Sequence, residues 1–399
     1  MLASLSLIFI VGLAMGAICQ KLKLPRIIGI LVTGIVLGPY VLDLLDPSIL
    51  SISAELRKMA LIIILLKAGL SLDLKDLKKA GRSAVLLSFV PAAFEIAGYV
   101  LCAPAILGIT RGEAAVMGAV LGAVSPAVVV PRMVTLMEKK YGTEKAIPQM
   151  IMAGASCDDI FVIVLFTTFL SIAQGGHANV LDFVNIPVSI VLGIILGAVT
   201  GYGLYLFFET AYARKHCVRN SIKVIIVLGF SFLLVSVEGW LEGKISLSGL
   251  LAVVSMACVI KMKSPVFVSK RLSEKFGKLW LAAEVMLFVL VGAAVDIRYT
   301  LSAGLSAVLM IFVALLFRSV GVLLCVAGTR LTWKERLFCV IAYLPKATVQ
   351  AAIGSVPLAA GLACGKIVLS VAVLAIIITA PLGAIGMDAA YQRLLEKEN

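Results

Sequence analysis

The chain has 399 residues, of which 61% are hydrophobic and only 14% charged, with a formal net charge of +13. A water-soluble domain is nearer half apolar and a quarter charged, so these proportions exclude a soluble globule and make the bilayer the natural solvent. In that setting the basic excess belongs in cytoplasmic loops, and neither a nucleic acid nor a nucleotide is expected as a partner.

A spanning helix needs about 20 apolar residues, and such runs recur along the whole chain. Thirteen segments are predicted, at 2–19, 25–42, 56–72, 83–107, 112–137, 147–173, 181–209, 221–240, 245–260, 279–295, 300–328, 336–358 and 364–389. The first has no basic flank or convincing cleavage site, so a retained helix is expected rather than a signal peptide. Beyond the last, only a short polar tail is expected, with no soluble domain. Gly201-Tyr202-Gly203 sits inside an apolar run and opens no βαβ unit, so it is not a dinucleotide fingerprint.

With the N-terminus outside, 26 of the 35 Lys and Arg residues fall in inside loops. Lys75, Lys78, Lys79 and Arg82 form one such group, and Lys261, Lys263, Lys270, Arg271, Lys275 and Lys278 another. Six fall outside (Arg57, Lys58, Arg111, Lys244, Arg298 and Lys366), and Lys67, Arg318 and Lys346 lie within segments. The bias alternates loop by loop, which supports the count and places the C-terminus in the cytoplasm. Trp240, Trp280 and Trp333 fall near predicted segment ends, where interfacial anchoring is the simplest account. The eight cysteines include no C-x-x-C pair, and His177 and His216 fall in loops. Neither a disulfide nor a structural metal is expected.

Ionisable residues inside a spanning segment are costly and point to function. The sixth segment carries Asp158 and Asp159 side by side among apolar residues. Helix neighbours point about 100° apart, so one acid can face an ion pathway while the other faces a partner. A carboxylate there can exchange its proton for a small cation. The competing account is a structural pair neutralised by a basic residue. The fifth segment contains Ser125-Pro126 and, further on, Pro131; the twelfth contains Pro345-Lys346-Ala347-Thr348. Prolines remove donors and disrupt the helical ladder, and paired discontinuous helices mark transporter ion sites. The two breaks are seven segments apart. An odd offset reverses orientation, so segments 1–6 and 8–13 are expected to be inverted six-helix repeats joined by segment 7. The same offset pairs segment 4, carrying Glu95, with segment 11, carrying Arg318. A buried ion pair is expected between them, either as a brace or as part of the mechanism. Lys346 either compensates half-helix dipoles or pairs with an aspartate. Lys67 reads as a boundary residue able to snorkel.

Three motifs together, Ser156-Cys157-Asp158-Asp159, Val124-Ser125-Pro126-Ala127-Val128-Val129-Val130-Pro131 and Leu344-Pro345-Lys346-Ala347-Thr348-Val349-Gln350, resemble the monovalent cation:proton antiporter superfamily. The likeness is to its NHA-type branch, the sodium/hydrogen exchanger-like domain proteins, and covers essentially the whole chain. It implies an all-α polytopic fold of thirteen or fourteen helices in the cell membrane, a homodimer among membrane lipids, and elevator-type alternating access. It implies an ion-transporting core at 83–173 and 300–389, a dimerisation and scaffold bundle at 1–72 and 221–295, and a linker helix at 181–209. It further implies that Asp159 is the main Na⁺ (or Li⁺) and proton ligand, with Asp158 as its partner. No cofactor and no enzymatic activity are implied. Electrogenic relatives carry a lysine at the position matching Arg318. A guanidinium does not release its proton, so electroneutral exchange is expected here.

Four other functions share some of these features. A cation channel also places acids in helices, but needs no broken crossings. An intramembrane aspartyl protease needs acids converging from two helices, whereas these are consecutive on one. An organic-solute carrier lacks support in a core with carboxylates and no aromatic cage. A K⁺-selective antiporter shares every feature listed above.

Overall fold

Helices account for every regular element among the described residues, apart from one isolated antiparallel bridge between Tyr141 and Lys397. The computed structural model describes residues 1–22, 24–71, 81–175, 180–215, 220–241, 247–297 and 304–398. Lys23, Lys75, Lys78, Lys79, His177, His216, Cys217, Arg219, Lys244 and Arg298 lie outside them. In chain order the helices are α1 (Leu2–Lys21), α2 (Arg26–Leu37), α3 (Pro47–Ser51), α4 (Ser53–Ser71), α5 (Gly81–Leu87) and α6 (Val90–Leu107). Next come α7 (Arg111–Leu121), α8 (Pro126–Glu138), α9 (Ile147–Gly175), α10 (Val180–Lys215), α11 (Asn220–Leu241) and α12 (Gly249–Lys263). The last are α13 (Val266–Ala293), α14 (Gly304–Cys325), α15 (Trp333–Ala342), α16 (Thr348–Ile353), α17 (Val356–Ala359) and α18 (Gly365–Leu394).

Where the predicted hydrophobic segments fall on described residues, those residues lie mainly in helices, some of them interrupted. Nine helical stretches among the described residues are long and apolar enough to cross a membrane. An all-helical chain with that many candidate spans is a multi-pass membrane protein, since a spanning helix satisfies its own backbone hydrogen bonds.

Two boundaries differ from expectation. The tenth segment, predicted from 279, begins at Val266, so Lys270, Arg271, Lys275 and Lys278 are helical rather than in a loop. Its first turns are amphipathic: Val268, Leu272 and Phe276, four residues apart, are buried while Lys270 and Arg271 are exposed. Apolarity alone does not mark such a helix, but its spacing does. Trp280 therefore sits in mid-helix and is 4% exposed, so it is a packing residue and not an interfacial anchor. Arg57, placed outside the membrane by sequence, lies within α4 and is buried.

The described chain forms two compact units. One comprises Glu55–Leu72 and Gly175–Glu284. Within it α10 and α12 approach closely. Gly193, Gly197 and Gly201 face main-chain atoms of Ser248, Ala252 and Met256, and both sets are four residues apart. Such small-residue stripes let helix backbones meet where lipid offers no hydrophobic drive.

The other unit comprises Met1–Ala54, Asp73–Gln174 and Val285–Asn399. Here α6 packs on α14. A Cβ at Gly98 would stand 2.8 Å from Phe317, and one at Gly321 would stand 2.9 Å from the Pro91 backbone. Gly98 lies three residues after Glu95, and Gly321 three after Arg318, so each glycine shares a helix face with its charge. The close approach brings the two charges within reach. α5 and α6 are separated at Ser88-Phe89, just ahead of Pro91, whose missing N–H cannot bond back one turn.

In the same unit residues 395–398 fold back over the turn between α8 and α9. Gly142 N donates to Glu396 O (2.8 Å) and Glu398 N to Lys140 O (2.8 Å). Thr143 Oγ1 donates to Glu398 Oε2 (2.6 Å). Lys140 and Gly142 adopt left-handed backbone, with φ of 59° and 67°. Lys145 Nζ joins Glu396 (3.2 Å) to Glu335 (2.9 Å), which is buried at the start of α15. Hydrogen bonding to Glu335 holds the Lys145 ammonium above its usual range. A raised lysine contributes stability that is complete below its unfolded pKa of about 10.4 and is lost only as pH rises through the folded value. Lys145→Met is expected to lower stability by about 1–2 kcal/mol at pH 7, because Glu335 keeps its Thr332 partners but loses its counter-charge. Lys145→Arg is expected to retain most of it. Thermal melting of the detergent-solubilised protein checks both.

Candidate ion site at the helix crossing

The fifth segment starts with a capping box. Thr110 Oγ1 accepts from Glu113 N (3.3 Å), and Glu113 Oε2 accepts from Thr110 N (2.9 Å). The twelfth starts the same way with Thr332 and Glu335 (3.4 and 2.7 Å). Each of these first half-helices then stops at a break. α7 ends at Leu121, and Ser125 is extended (φ −90°, ψ 109°), the conformation imposed on a residue before proline. α15 ends at Ala342, and helix resumes at Thr348 beyond Pro345. Pro131 breaks nothing: it lies inside α8 with its side exposed, so of the two prolines in the fifth segment only Pro126 marks the interruption.

Broken helices expose backbone groups that must be satisfied again. The two breaks satisfy each other. Ser125 N donates to Pro345 O (2.8 Å). Gln350 Nε2 donates to Ala123 O (2.9 Å) and Leu121 O (3.4 Å), while its Oε1 accepts from Ala347 N (2.8 Å). Lys346 N donates to Thr379 Oγ1 (2.9 Å) on α18.

Five charged side chains meet at this crossing: Glu95 from α6, Asp158 and Asp159 from α9, Arg318 from α14, and Lys346 from the second break. None is more than 6% exposed. Arg318 is the hub. Its Nη1 donates to Glu95 Oε2 (2.8 Å) and to Gly122 O. Nη2 donates to Asp158 Oδ2 (3.0 Å), and Nε to Tyr343 O (2.7 Å). The Tyr343 ring centroid lies 5.6 Å from the guanidinium carbon. Lys346 Nζ donates to Glu95 Oε2 (2.5 Å), so its partner is Glu95 rather than an aspartate. Asp158 Oδ2 also accepts from Val124 N (2.7 Å). An unpaired ion costs several kcal/mol in such an interior. Here Glu95 and Asp158 are both matched by cations.

Asp159 differs. Among the described residues no ammonium or guanidinium lies within ion-pair distance of it, and its Oδ1 is buried without a hydrogen-bond partner. Asp158 Oδ1, Ser125 Oγ and Thr348 Oγ1 are likewise buried and unpartnered. Carboxylate, hydroxyl and unwound backbone oxygens are the donors that hold small cations beside broken helices.

The structure thus gathers Glu95, Ser125, Asp158, Arg318, Pro345 and Lys346 at one locus, with Asp159 and Thr348 directly adjoining in sequence. Gln350, Thr379 and Tyr343 are integral to it and were given no role from sequence. Gln350 carried a usable signal, an amide in an otherwise apolar run. Thr379 did not, because a threonine bonding back to the carbonyl four residues earlier, here Ala375 O at 2.7 Å, is ordinary in helices.

A family model described as "Sodium/hydrogen exchanger, transmembrane" matches residues 5–388. Human sodium/hydrogen exchanger 9B2 is 37% identical over 359 residues, covering 86% of this chain and 65% of that protein. The chain therefore spans about two thirds of the length of that relative, short of the whole. Human sodium/hydrogen exchanger 9B1 is 32% identical, covering 99% of this chain and 78% of that protein. The solved structure of the sodium proton antiporter MjNhaP1 from Methanocaldococcus jannaschii superposes with a TM-score of 0.83 over 98% of both chains. At 21% identity that likeness establishes a shared fold. On the extent of the family match and the identity to 9B1, this chain belongs to the sodium/hydrogen exchanger family.

Proposed function

We propose that the protein is a secondary antiporter of the cell membrane, exchanging Na⁺ (or Li⁺) for H⁺ at Asp159, with Asp158 beside it. One observation carries this: Asp159 is the buried carboxylate of the crossing that no cationic side chain among the described residues neutralises. Glu95, Asp158, Arg318 and Lys346 together sum to zero formal charge. Asp159 adds one negative charge, which a proton or one monovalent cation cancels equally well. Because burying a net charge is costly, the cluster favours having one of the two bound at all times. That requirement couples their movements.

The same arithmetic favours electroneutral exchange. If Arg318 keeps its proton and Lys346 stays on Glu95, only Asp159 changes occupancy, and one H⁺ leaves for each Na⁺ that enters. Elevator-type alternating access, the inverted repeats and a homodimer follow from the family resemblance. The matching capping boxes of the two broken segments, seven segments apart, support the repeat. All groups at the crossing come from 83–173 and 300–389, which supports these as the ion-carrying core. In this scheme 1–72 and 221–295 form the scaffold and 181–209 the linker.

The test is proton counterflow in proteoliposomes on addition of Na⁺, Li⁺ or K⁺. Asp159→Asn is expected to lose Na⁺-driven proton movement to background while melting within a few degrees of wild type. Normal transport by this variant rules out the site. A potential of about 100 mV, worth about 2.3 kcal/mol per net charge moved, is expected to leave the steady Na⁺ gradient unchanged. A gradient that follows the potential rules out one-for-one exchange. Arg318→Leu, in contrast, is expected to fold poorly, losing about 3–5 kcal/mol, because it leaves buried carboxylates without their shared cation. Melting in detergent separates the two kinds of variant.

A further inference from the structure

Gln350 lies wholly buried where the two broken segments cross. It is neutral, so it takes no part in the charge balance above. Its amide nevertheless touches both breaks. Nε2 donates to Ala123 O at 2.9 Å, and Oε1 accepts from Ala347 N at 2.8 Å. One side chain thereby satisfies a carbonyl released after α7 and an amide released ahead of α16.

The Ala123 carbonyl and the Val124 N–H belong to the same peptide group. That N–H donates to Asp158 Oδ2 at 2.7 Å. A continuous chain therefore runs from the Gln350 amide through one peptide plane to the carboxylate next to the ion ligand. Hydrogen bonds in series polarise one another in a low-dielectric interior. Donation to the carbonyl strengthens the N–H as a donor, and it also fixes the plane of the peptide. The next amide, Ser125 N, is held by Pro345 O at 2.8 Å, so the strand 123–125 is pinned at consecutive peptides.

The groups facing Asp158 come from several elements. Arg318 reaches it from α14 and Val124 N from the first break. Glu95 and Lys346 are bound to Arg318 or to each other, and Asp159 adjoins it on α9. Of these contacts only the Val124 N–H depends on backbone geometry that a distant neutral side chain sets.

We propose that Gln350 is a positioning residue for cation binding, acting on Asp158 through the Ala123–Val124 peptide. This rests on the exchange function proposed above. Loss of the Gln350 donor frees the 123–125 strand and loosens Asp158, so the cation site beside it is less well formed. The turnover of a molecule that has bound its ion is not altered by this route.

The test is Na⁺-driven proton flux in proteoliposomes for Gln350→Met, which keeps the length and removes every side-chain hydrogen bond of the amide. Gln350→Leu is measured in parallel; it also removes the amide donor and acceptor and leaves the charge of the cluster unchanged. In both, KM for Na⁺ is expected to rise roughly 3- to 10-fold, the size expected for one buried hydrogen bond, with maximal rate within about twofold. An unchanged KM in either folded variant overturns the proposal. So does a fall in maximal rate alone, which reports fewer folded molecules. Wild-type protein without Na⁺-driven proton flux contradicts the exchange function itself, and the positioning role with it. Wild-type flux with unaltered Gln350 variants contradicts the positioning role only.

Discussion

A guanidinium buried in the middle of a helical membrane protein must find hydrogen-bond partners, and the architecture of the core follows from the four that Arg318 finds. Two of its bonds go to carboxylates on different helices, Glu95 on α6 and Asp158 on α9. Two go to backbone carbonyls, Gly122 and Tyr343, one in each broken segment. Those carbonyls are accessible only because the helices are interrupted there. The breaks and the buried charge thus require each other: helical carbonyls would be occupied by their own ladder, and the exposed ones would be unsatisfied in an apolar interior without a donor. The glycines at 98 and 321 complete the arrangement by letting α6 and α14 approach.

The remaining charge is then set by subtraction. Lys346 joins Arg318 on Glu95, which leaves two cations for three carboxylates. Asp158 is committed to Arg318 and to the Val124 amide. Asp159, one residue along and about 100° around the helix, is the carboxylate of the cluster with no fixed counter-charge among the described residues. A proton and a small monovalent cation are equivalent solutions to that deficit. This is the physical basis for the proposal that the adjacent aspartates differ in role, with Asp158 organising the site and Asp159 exchanging its ligand.

Much of this was legible in the sequence, for identifiable reasons. Apolar runs mark spanning helices, so the multi-pass helical character of the chain was visible. The acids at 158 and 159 and the lone charges at 95 and 318 stand out because nothing around them is polar. Pro126 and Pro345 located the breaks. The failures are equally physical. The start of α13 was missed because its first turns are amphipathic and charged, which a search for apolarity passes over. Trp280 was assigned to an interface on a boundary that was wrong by thirteen residues. Pro131 reads as a break in the sequence because a proline in the first turns of a restarted helix is not distinguishable there from one that stops it. Gln350 was passed over because its role depends on which carbonyl lies opposite, and that is decided only when two distant segments cross.

Protons released per Na⁺ bound, measured at equilibrium in weakly buffered detergent solution with a pH indicator, test the central claim most directly. At a pH where the two ions compete, the charge balance predicts release approaching one proton per Na⁺, and none from Asp159→Asn. Release of two protons shows that Lys346 or another group of the cluster also changes its charge. Na⁺ binding that releases no proton at any pH contradicts a shared site at Asp159.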